Sequence, residues 1–123
     1  MDAFLTQYWR CVTARDENGL RGYFHPGARI LWHNTNEQFT TAEFIRANCE
    51  YPGQWQAELT RAEQAGSTVV SVARVWSDAL SFHVVSFFEI ENGQIKQLDE
   101  YWGDDGPPPA WRQDKKIGKG LSQ

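Results

Sequence analysis

Residues 67–102, STVVSVARVWSDALSFHVVSFFEIENGQIKQLDEYW, decide the fold class of this chain. Three runs of apolar and β-branched residues fill the stretch, and turn-forming residues separate them. The strongest turn signal is Asn92-Gly93, because Asn-Gly between apolar runs is typical of a β-hairpin. The stretch therefore predicts three consecutive strands, over 68–76, 80–90 and 94–102.

Three ionisable residues interrupt these strands: Arg74, His83 and Glu100. Charged groups are rare in apolar strands unless they reach solvent, a partner or a ligand. Side chains alternate across a strand, so each of the three belongs to a definite row. A one-residue bulge moves a row to the opposite face, so periodicity alone does not align the three rows. If the rows share one face, that face carries a polar patch.

Both rows of the second strand are largely apolar, which predicts a sheet that is covered on both faces. Helices from the first half of the chain can cover one face, and too little chain remains to cover the other. The simplest cover is a second copy of the protein in a two-fold contact. We therefore expect a homodimer through the outer sheet face, with these contact residues: Val75, Phe82, Val84, Phe88 and Tyr101.

The first half of the chain shows helical periodicity. Apolar residues recur at helical spacing over 2–15, and Thr40 or Thr41 with Glu43 marks the start of a second helix. One strand is expected over 28–34 and another over 55–63. Helices followed by a meander of strands predict an α+β fold, with the helices on one face of an antiparallel sheet.

Composition and length indicate one domain over residues 1–104 and an extended, flexible tail over 105–123, which holds Pro107-Pro108-Pro109. The net charge of −4 and the lack of a basic stripe argue against a nucleic-acid partner. No signal peptide or membrane-spanning run is visible. Cys11 and Cys49 are isolated and fit free thiols in the cytoplasm. The three histidines lack metal-ligand spacing, so we expect neither a metal nor a cofactor.

The ordered markers of the chain resemble one known superfamily. They are Tyr23-Phe24-His25-Pro26-Gly27-Ala28 after the first helix, and the Asn92-Gly93 turn followed by Ile95 and the closing Glu100-Tyr101-Trp102. Residues 3–103 resemble the nuclear-transport-factor-2-like superfamily, and within it the SnoaL-like branch. The resemblance implies a cystatin-like fold, in which a cone-shaped curved sheet wraps around N-terminal helices. It also implies a pocket in the open end of the cone and a dimer on the opposite face.

By the same resemblance, Arg74, His83 and Glu100 are the candidate catalytic residues of one pocket wall. The implied ligand-binding residues are Tyr8, Trp32, Phe44, Val72, Trp76, Val85, Leu98 and Trp102. Compared with the ketosteroid isomerases of this superfamily, this chain has Tyr8 at the position of their oxyanion-hole tyrosine. Trp32 stands at the position of the general-base aspartate and Val85 at that of the second oxyanion acid. Tryptophan cannot act as a base, so steroid isomerisation by that site is not expected.

Two function classes follow from these expectations. The first is a cofactor-free acid/base isomerase or cyclase acting on a small hydrophobic molecule with a carbonyl group, with Arg74 binding an oxygen while His83 and Glu100 exchange protons. The second is a non-catalytic module that binds a small ligand or only dimerises. A structural alternative for Arg74 and Glu100 is a buried ion pair that sets the strand register. The sequence does not identify a substrate.

Overall fold

The computed structural model describes residues 2–121, in which helices come first and a strand meander follows. The elements in chain order are α1 (Asp2–Ala14), α2 (Glu17–Gly22), β1 (Phe24–Trp32), β2 (Glu37–Phe39), α3 (Thr41–Cys49), β3 (Gln56–Ala65), β4 (Thr68–Trp76), β5 (Ser81–Glu91), β6 (Gln94–Asp104) and α4 (Ala110–Asp114). The α+β class is as the sequence predicts. The short strand β2 is a finding that the sequence pattern did not indicate.

The six strands form one curved, open sheet in the order β2-β1-β6-β5-β4-β3. Neighbouring strands are antiparallel except β1 and β6, which run parallel. The prediction of a wholly antiparallel sheet is therefore wrong in this one pair. The two strands lie far apart in sequence, and alternation of side chains within a strand carries no information about the direction of a distant neighbour.

The helices lie on one face of the sheet, here called the inner face. Helix α1 packs on β3, and α3 packs on β1. Thr40 caps α3 by a reciprocal capping box with Glu43, so the predicted start of this helix is confirmed. The buried side chains between helices and sheet form a single core that includes Leu5, Tyr8, Phe44, Ile45, Ile30, Val69, Ala73, Val84, Phe88 and Leu98.

The predicted set of dimer-contact residues is wrong in four of its five members. Val75, Val84 and Phe88 are buried on the inner face, and Phe82 shares their row. Only Tyr101 points to the opposite face, here called the outer face. Because both rows of β5 are apolar, the composition of the rows did not reveal which one meets the helices.

Beyond the sheet, the chain continues into a tail whose described residues are exposed. The tail is not extended throughout, because α4 follows Pro109 as a short helix. Residues 122 and 123 of the predicted tail lie outside the described part. Cys11 and Cys49 are free thiols. None of the helices within residues 2–121 has the length and apolar character that crossing a bilayer requires.

Candidate functional site

A β-bulge in β6 decides which residues face the inside of the sheet. Ile90 pairs with Ile95, whereas the next pair is Glu89 with Gln97, so Lys96 is an extra residue on β6. Every later residue of β6 is consequently shifted by one position relative to β5. As a result, Ser86 stands opposite Glu100, and Val85 stands opposite Tyr101 on the outer face.

The bulge separates the three ionisable residues that interrupt the strands. Arg74 pairs with His83, and both side chains are exposed on the outer face. Glu100 is 1% exposed and belongs to the inner face. The prediction that the three share one pocket wall is therefore wrong, as is the alternative of a buried Arg74–Glu100 ion pair. The sheet itself stands between Glu100 and the other two residues.

On the outer face, Arg74 and His83 each have a different partner. The guanidinium of Arg74 lies 4.4 Å from the ring centroid of Trp76, which is a cation–π contact. His83 Nδ1 contacts the carboxylate of Asp105, to which Ser81 Oγ also donates a hydrogen bond. These two donors lower the pKa of Asp105.

The buried Glu100 carboxyl is held by side chains from two neighbouring strands. Trp32 Nε1 donates to Glu100 Oε1 at 3.1 Å, and Ser86 Oγ donates to Oε2 at 2.6 Å. Burial raises the pKa of Glu100 to about 7, because the charged form loses its hydration. The Ser86 and Trp32 hydrogen bonds and the Trp102 indole oppose this rise. Glu100 is thus a carboxyl group whose proton exchanges near neutral pH.

The polar row of Glu100 continues across the sheet to a second buried serine. Ser71 of β4 pairs with Ser86 of β5, which pairs with Glu100 of β6. Ser71 Oγ has no hydrogen-bond partner among the described residues. Neither serine was among the predicted site residues. The available signal was that each is the single polar residue in an otherwise apolar row of its strand.

One cavity of about 840 Å³ opens between α1, α3 and the inner face of the sheet. Six aromatic side chains in successive contact form a continuous part of its wall, and we call them the aromatic arc. The arc consists of Tyr51, Trp55, Phe82, Trp102, Trp32 and Phe39. Neighbouring ring centroids along it are between 4.7 and 6.0 Å apart.

The mouth of the cavity carries the charged residues. Arg15 donates to the carbonyl oxygen of Tyr51 at 2.6 Å and also to that of Gly53, which fixes the loop that bears part of the arc. Arg46 forms an ion pair with Glu50 at 2.6 Å. Glu43 and Asp104 also line the cavity. Glu100 does not line it, although Trp32 and Trp102 do.

The structure divides the predicted ligand-binding residues into three groups. Trp32 and Trp102 line the cavity. Tyr8, Phe44 and Leu98 are buried in the core, where burial and the charge of Glu100 raise the pKa of Tyr8 well above its ordinary value. Those on the outer face are Val72, Trp76 and Val85. The predicted placement of these last three in the pocket is wrong because, like Arg74, they lie on the face of the sheet opposite the helices.

The sequence reasoning also missed most of the cavity wall. Trp9, Trp55, Phe82 and Val75 line the cavity, and none of them was among the predicted ligand-binding residues. Phe82 and Val75 were assigned to the wrong face. The apolar face of α1 offered a signal for Trp9, which follows Tyr8 directly, but helical spacing does not distinguish core positions from cavity positions.

Comparisons with known proteins agree with this architecture. A structure of a candidate ketosteroid isomerase from Kribbella flavida is 22% identical, covers 97% of this chain and 87% of its own, and has a TM-score of 0.80. A nuclear-transport-factor-2-like protein of unknown function from Burkholderia xenovorans is 17% identical, and the match covers 98% of this chain and 94% of that protein, with a TM-score of 0.79. A candidate SnoaL-like polyketide cyclase from Jannaschia is 15% identical, and the match covers 81% of this chain and 83% of that protein, with a TM-score of 0.70.

At these identities, the three structures establish a shared fold. No protein of curated function matches the chain significantly. The sequence profile of the SnoaL-like domain, however, matches residues 5–98, which is most of the chain. The chain therefore belongs to the SnoaL-like domain family.

Proposed function

We propose that this protein binds a small, mostly apolar molecule in the cavity that the aromatic arc bounds. The observation that supports this function is the continuity of the arc, whose six rings all line the same cavity. Small-molecule sites are typically concave, predominantly apolar and about 300–1,000 Å³ in volume. The cavity, at about 840 Å³, falls within this range.

The binding proposal can be tested with 2-naphthol as a neutral aromatic probe in isothermal titration calorimetry. Phe82→Ala removes one ring of the arc, and we expect it to weaken binding about five- to tenfold, as the loss of about 1 kcal/mol of aromatic contact implies. Phe87 lies on the same strand but on the outer face, so Phe87→Ala is the matched control and should bind as wild type does. No binding of 2-naphthol to the wild type, or equal losses in both variants, contradicts the proposal.

A second candidate function is acid/base catalysis of the isomerase or cyclase type, and Glu100 supports it. A pKa of about 7 suits a group that accepts and returns a proton near neutral pH. Glu100 is buried and does not line the cavity, whereas Trp32, which donates to its carboxyl group, and Trp102 do, so a reacting ligand reaches it only if side chains of the wall move. Binding is therefore the function that the geometry favours, and catalysis requires this additional movement.

Catalysis can be tested separately from binding. The ketone 2-tetralone is small and apolar, and exchange of its C1 protons for deuterium in D₂O reports removal of a proton next to the carbonyl. If Glu100 is the base, the wild type accelerates this exchange and Glu100→Gln does not, while both bind 2-naphthol. Exchange at the uncatalysed rate in the presence of wild type contradicts the catalytic candidate and leaves the binding proposal intact.

The outer face of the sheet supports a second proposal, that two copies of the chain associate there. Phe87 and Tyr101 are 37% and 45% exposed, and their rings are 6.1 Å apart. Val72 and Val85 lie in the same cross-strand row as Tyr101 and extend the apolar strip. The described chain places no helix over this strip. A second copy would cover it with the same strip, as a two-fold contact requires.

The oligomeric state tests this contact directly. Size-exclusion chromatography with light scattering should give twice the mass of one 14.1 kDa chain. Tyr101→Lys should return the mass to that of one chain, because it places a charge in the apolar strip. Tyr51→Lys is the control, since Tyr51 is equally exposed but lies at the cavity. A wild-type mass of one chain at tens of micromolar contradicts the proposal.

A further inference from the structure

We infer that the cavity selects a small organic cation with apolar substituents, such as a tertiary or quaternary ammonium ion, over a neutral molecule of the same shape. The inference rests on the proposed binding function and names the chemical class of the ligand. It combines the type and orientation of the aromatic rings with the charges that surround them.

Four of the chain's six tryptophans, Trp9, Trp32, Trp55 and Trp102, line this one cavity. The face of an indole ring attracts a cation more strongly than that of any other aromatic side chain. Ring faces also meet a ligand from more than one direction. The ring of Phe82 lies at 28° to that of Trp55 but at 87° to that of Trp102, so the arc turns a corner there. A compact cation at this corner can contact several rings at once.

The charges at the cavity also favour a cation. Its two arginines are already engaged, Arg15 with backbone carbonyls and Arg46 with Glu50. In contrast, the Asp104 carboxylate forms no hydrogen bond or ion pair within residues 2–121. Asp104 is the cross-strand partner of Phe82, so the two side chains lie on the same face of the sheet. A free carboxylate thus stands beside the corner of the arc.

The order of the inner-face residues along β6 strengthens this arrangement. Glu100, Trp102 and Asp104 follow one another on the inner face, in a row that runs from the core to the mouth of the cavity. Carboxyl groups therefore lie on both sides of Trp102. A neutral apolar molecule gains nothing from them, whereas a cation over the indole is attracted by the ring and by Asp104.

The test compares phenyltrimethylammonium with tert-butylbenzene, which has nearly the same shape but no charge. Both are titrated into the wild-type protein at low ionic strength, with binding followed by tryptophan fluorescence. We expect the cation to bind about tenfold more tightly, since cation–π contacts at partly desolvated sites are worth about 1–2 kcal/mol. Equal or tighter binding of tert-butylbenzene overturns the inference.

Variants then assign the preference to the site. Asp104→Asn should weaken cation binding about three- to tenfold and leave tert-butylbenzene unchanged. Asp105→Asn removes the same charge from the next residue, whose carboxylate binds Ser81 and His83 rather than lining the cavity, so it should have little effect. Equal effects of the two variants on the cation also overturn the inference. Binding of 2-naphthol without binding of the cation refutes only the cation preference, whereas failure of all three probes refutes the binding function as well.

Discussion

Ser86 and Glu100 face each other across β5 and β6, and the Ser86 hydroxyl donates a 2.6 Å hydrogen bond to Glu100 Oε2. This pair is the only direct link between the polar groups of the two strands on the inner face within residues 2–121. It exists because of the bulge at Lys96, without which Val85 would occupy the position of Ser86. The register of one hairpin therefore determines the electrostatics of the molecule's interior.

Glu100 should make the protein less stable as the pH rises from about 4.5 to about 7. Its pKa is about 7 in the folded chain, against an ordinary value of 4.5. Between these values the folded protein binds more protons than the unfolded chain, so the free energy of unfolding falls as the pH increases. The change amounts to about 3 kcal/mol, at about 1.4 kcal/mol per pH unit, and is complete above about pH 7.

Urea denaturation of wild type and Glu100→Gln from pH 4 to pH 8.5 measures this dependence. The variant lacks the titrating group, so its stability relative to wild type should improve by about 3 kcal/mol across the interval. The exposed Glu91 provides the control, because Glu91→Gln should leave the wild-type dependence unchanged. Parallel curves for wild type and Glu100→Gln contradict the prediction.

Replacement by alanine should have different effects at the two buried serines: at Ser86 it should change the pKa of Glu100, and at Ser71 it should cost no stability. Ser86→Ala removes a donor to the Glu100 carboxylate, so the pKa of Glu100 should rise further, by about 1–2, since hydrogen bonds to charged groups contribute about 1.5–3 kcal/mol. Ser71→Ala removes a hydroxyl that has no partner within residues 2–121, so stability should be unchanged or slightly higher. Carboxyl-carbon NMR titration reports the pKa, and denaturation reports the stability. A Ser86→Ala variant with an unchanged Glu100 pKa contradicts the assignment.

Deletion of Lys96 should leave the inner face of β6 intact. Lys96 is the extra residue of the bulge, so its removal keeps the other pairs of β5 and β6, including Ser86 opposite Glu100, and only restores regular alternation to the strand. We expect a cooperative unfolding transition and a Glu100 pKa that stays raised. Lys96→Ala is the control and should change stability by less than about 0.5 kcal/mol, because the side chain makes only an exposed 3.9 Å contact with Glu91. Loss of the cooperative transition in the deletion variant contradicts the assignment of Lys96 as the extra residue.

The cap of α3 gives a further matched pair. Thr40→Ala removes the side-chain oxygen that accepts from the Glu43 backbone N–H at 3.2 Å, and it should cost about 1 kcal/mol of stability. Thr41 is the first residue of the same helix, and its hydroxyl has no partner among the described residues. Thr41→Ala should therefore be neutral or stabilising. Thermal unfolding of both variants measures the difference, and equal losses would argue against the capping role.

The outer-face residues illustrate the limits of sequence reasoning. Arg74 and His83 were correctly placed in one row, because the hairpin between β4 and β5 has no register shift. Periodicity alone did not align Glu100 with these two residues; the family resemblance placed it in their row, and the resemblance did not reveal the extra residue of the next hairpin. Nothing in Gln94-Ile95-Lys96-Gln97 marks Lys96 as a bulge, since bulges depend on pairing between strands rather than on the propensity of one residue. The error moved three ionisable residues into one site that the fold divides between two faces.

The sequence by itself determined most of the elements and the fold family, but not the short elements β2 and α4. Strand periods, the Asn92-Gly93 turn and the Thr40–Glu43 cap are local signals, and the helices and strands that they predict are present. The tertiary structure alone decided the strand register, the parallel pairing of β1 with β6 and the side chains that line the cavity. These depend on contacts between residues far apart in sequence, such as Trp32 with Glu100. Where both rows of a strand are apolar, only packing against the helices selects the inner one.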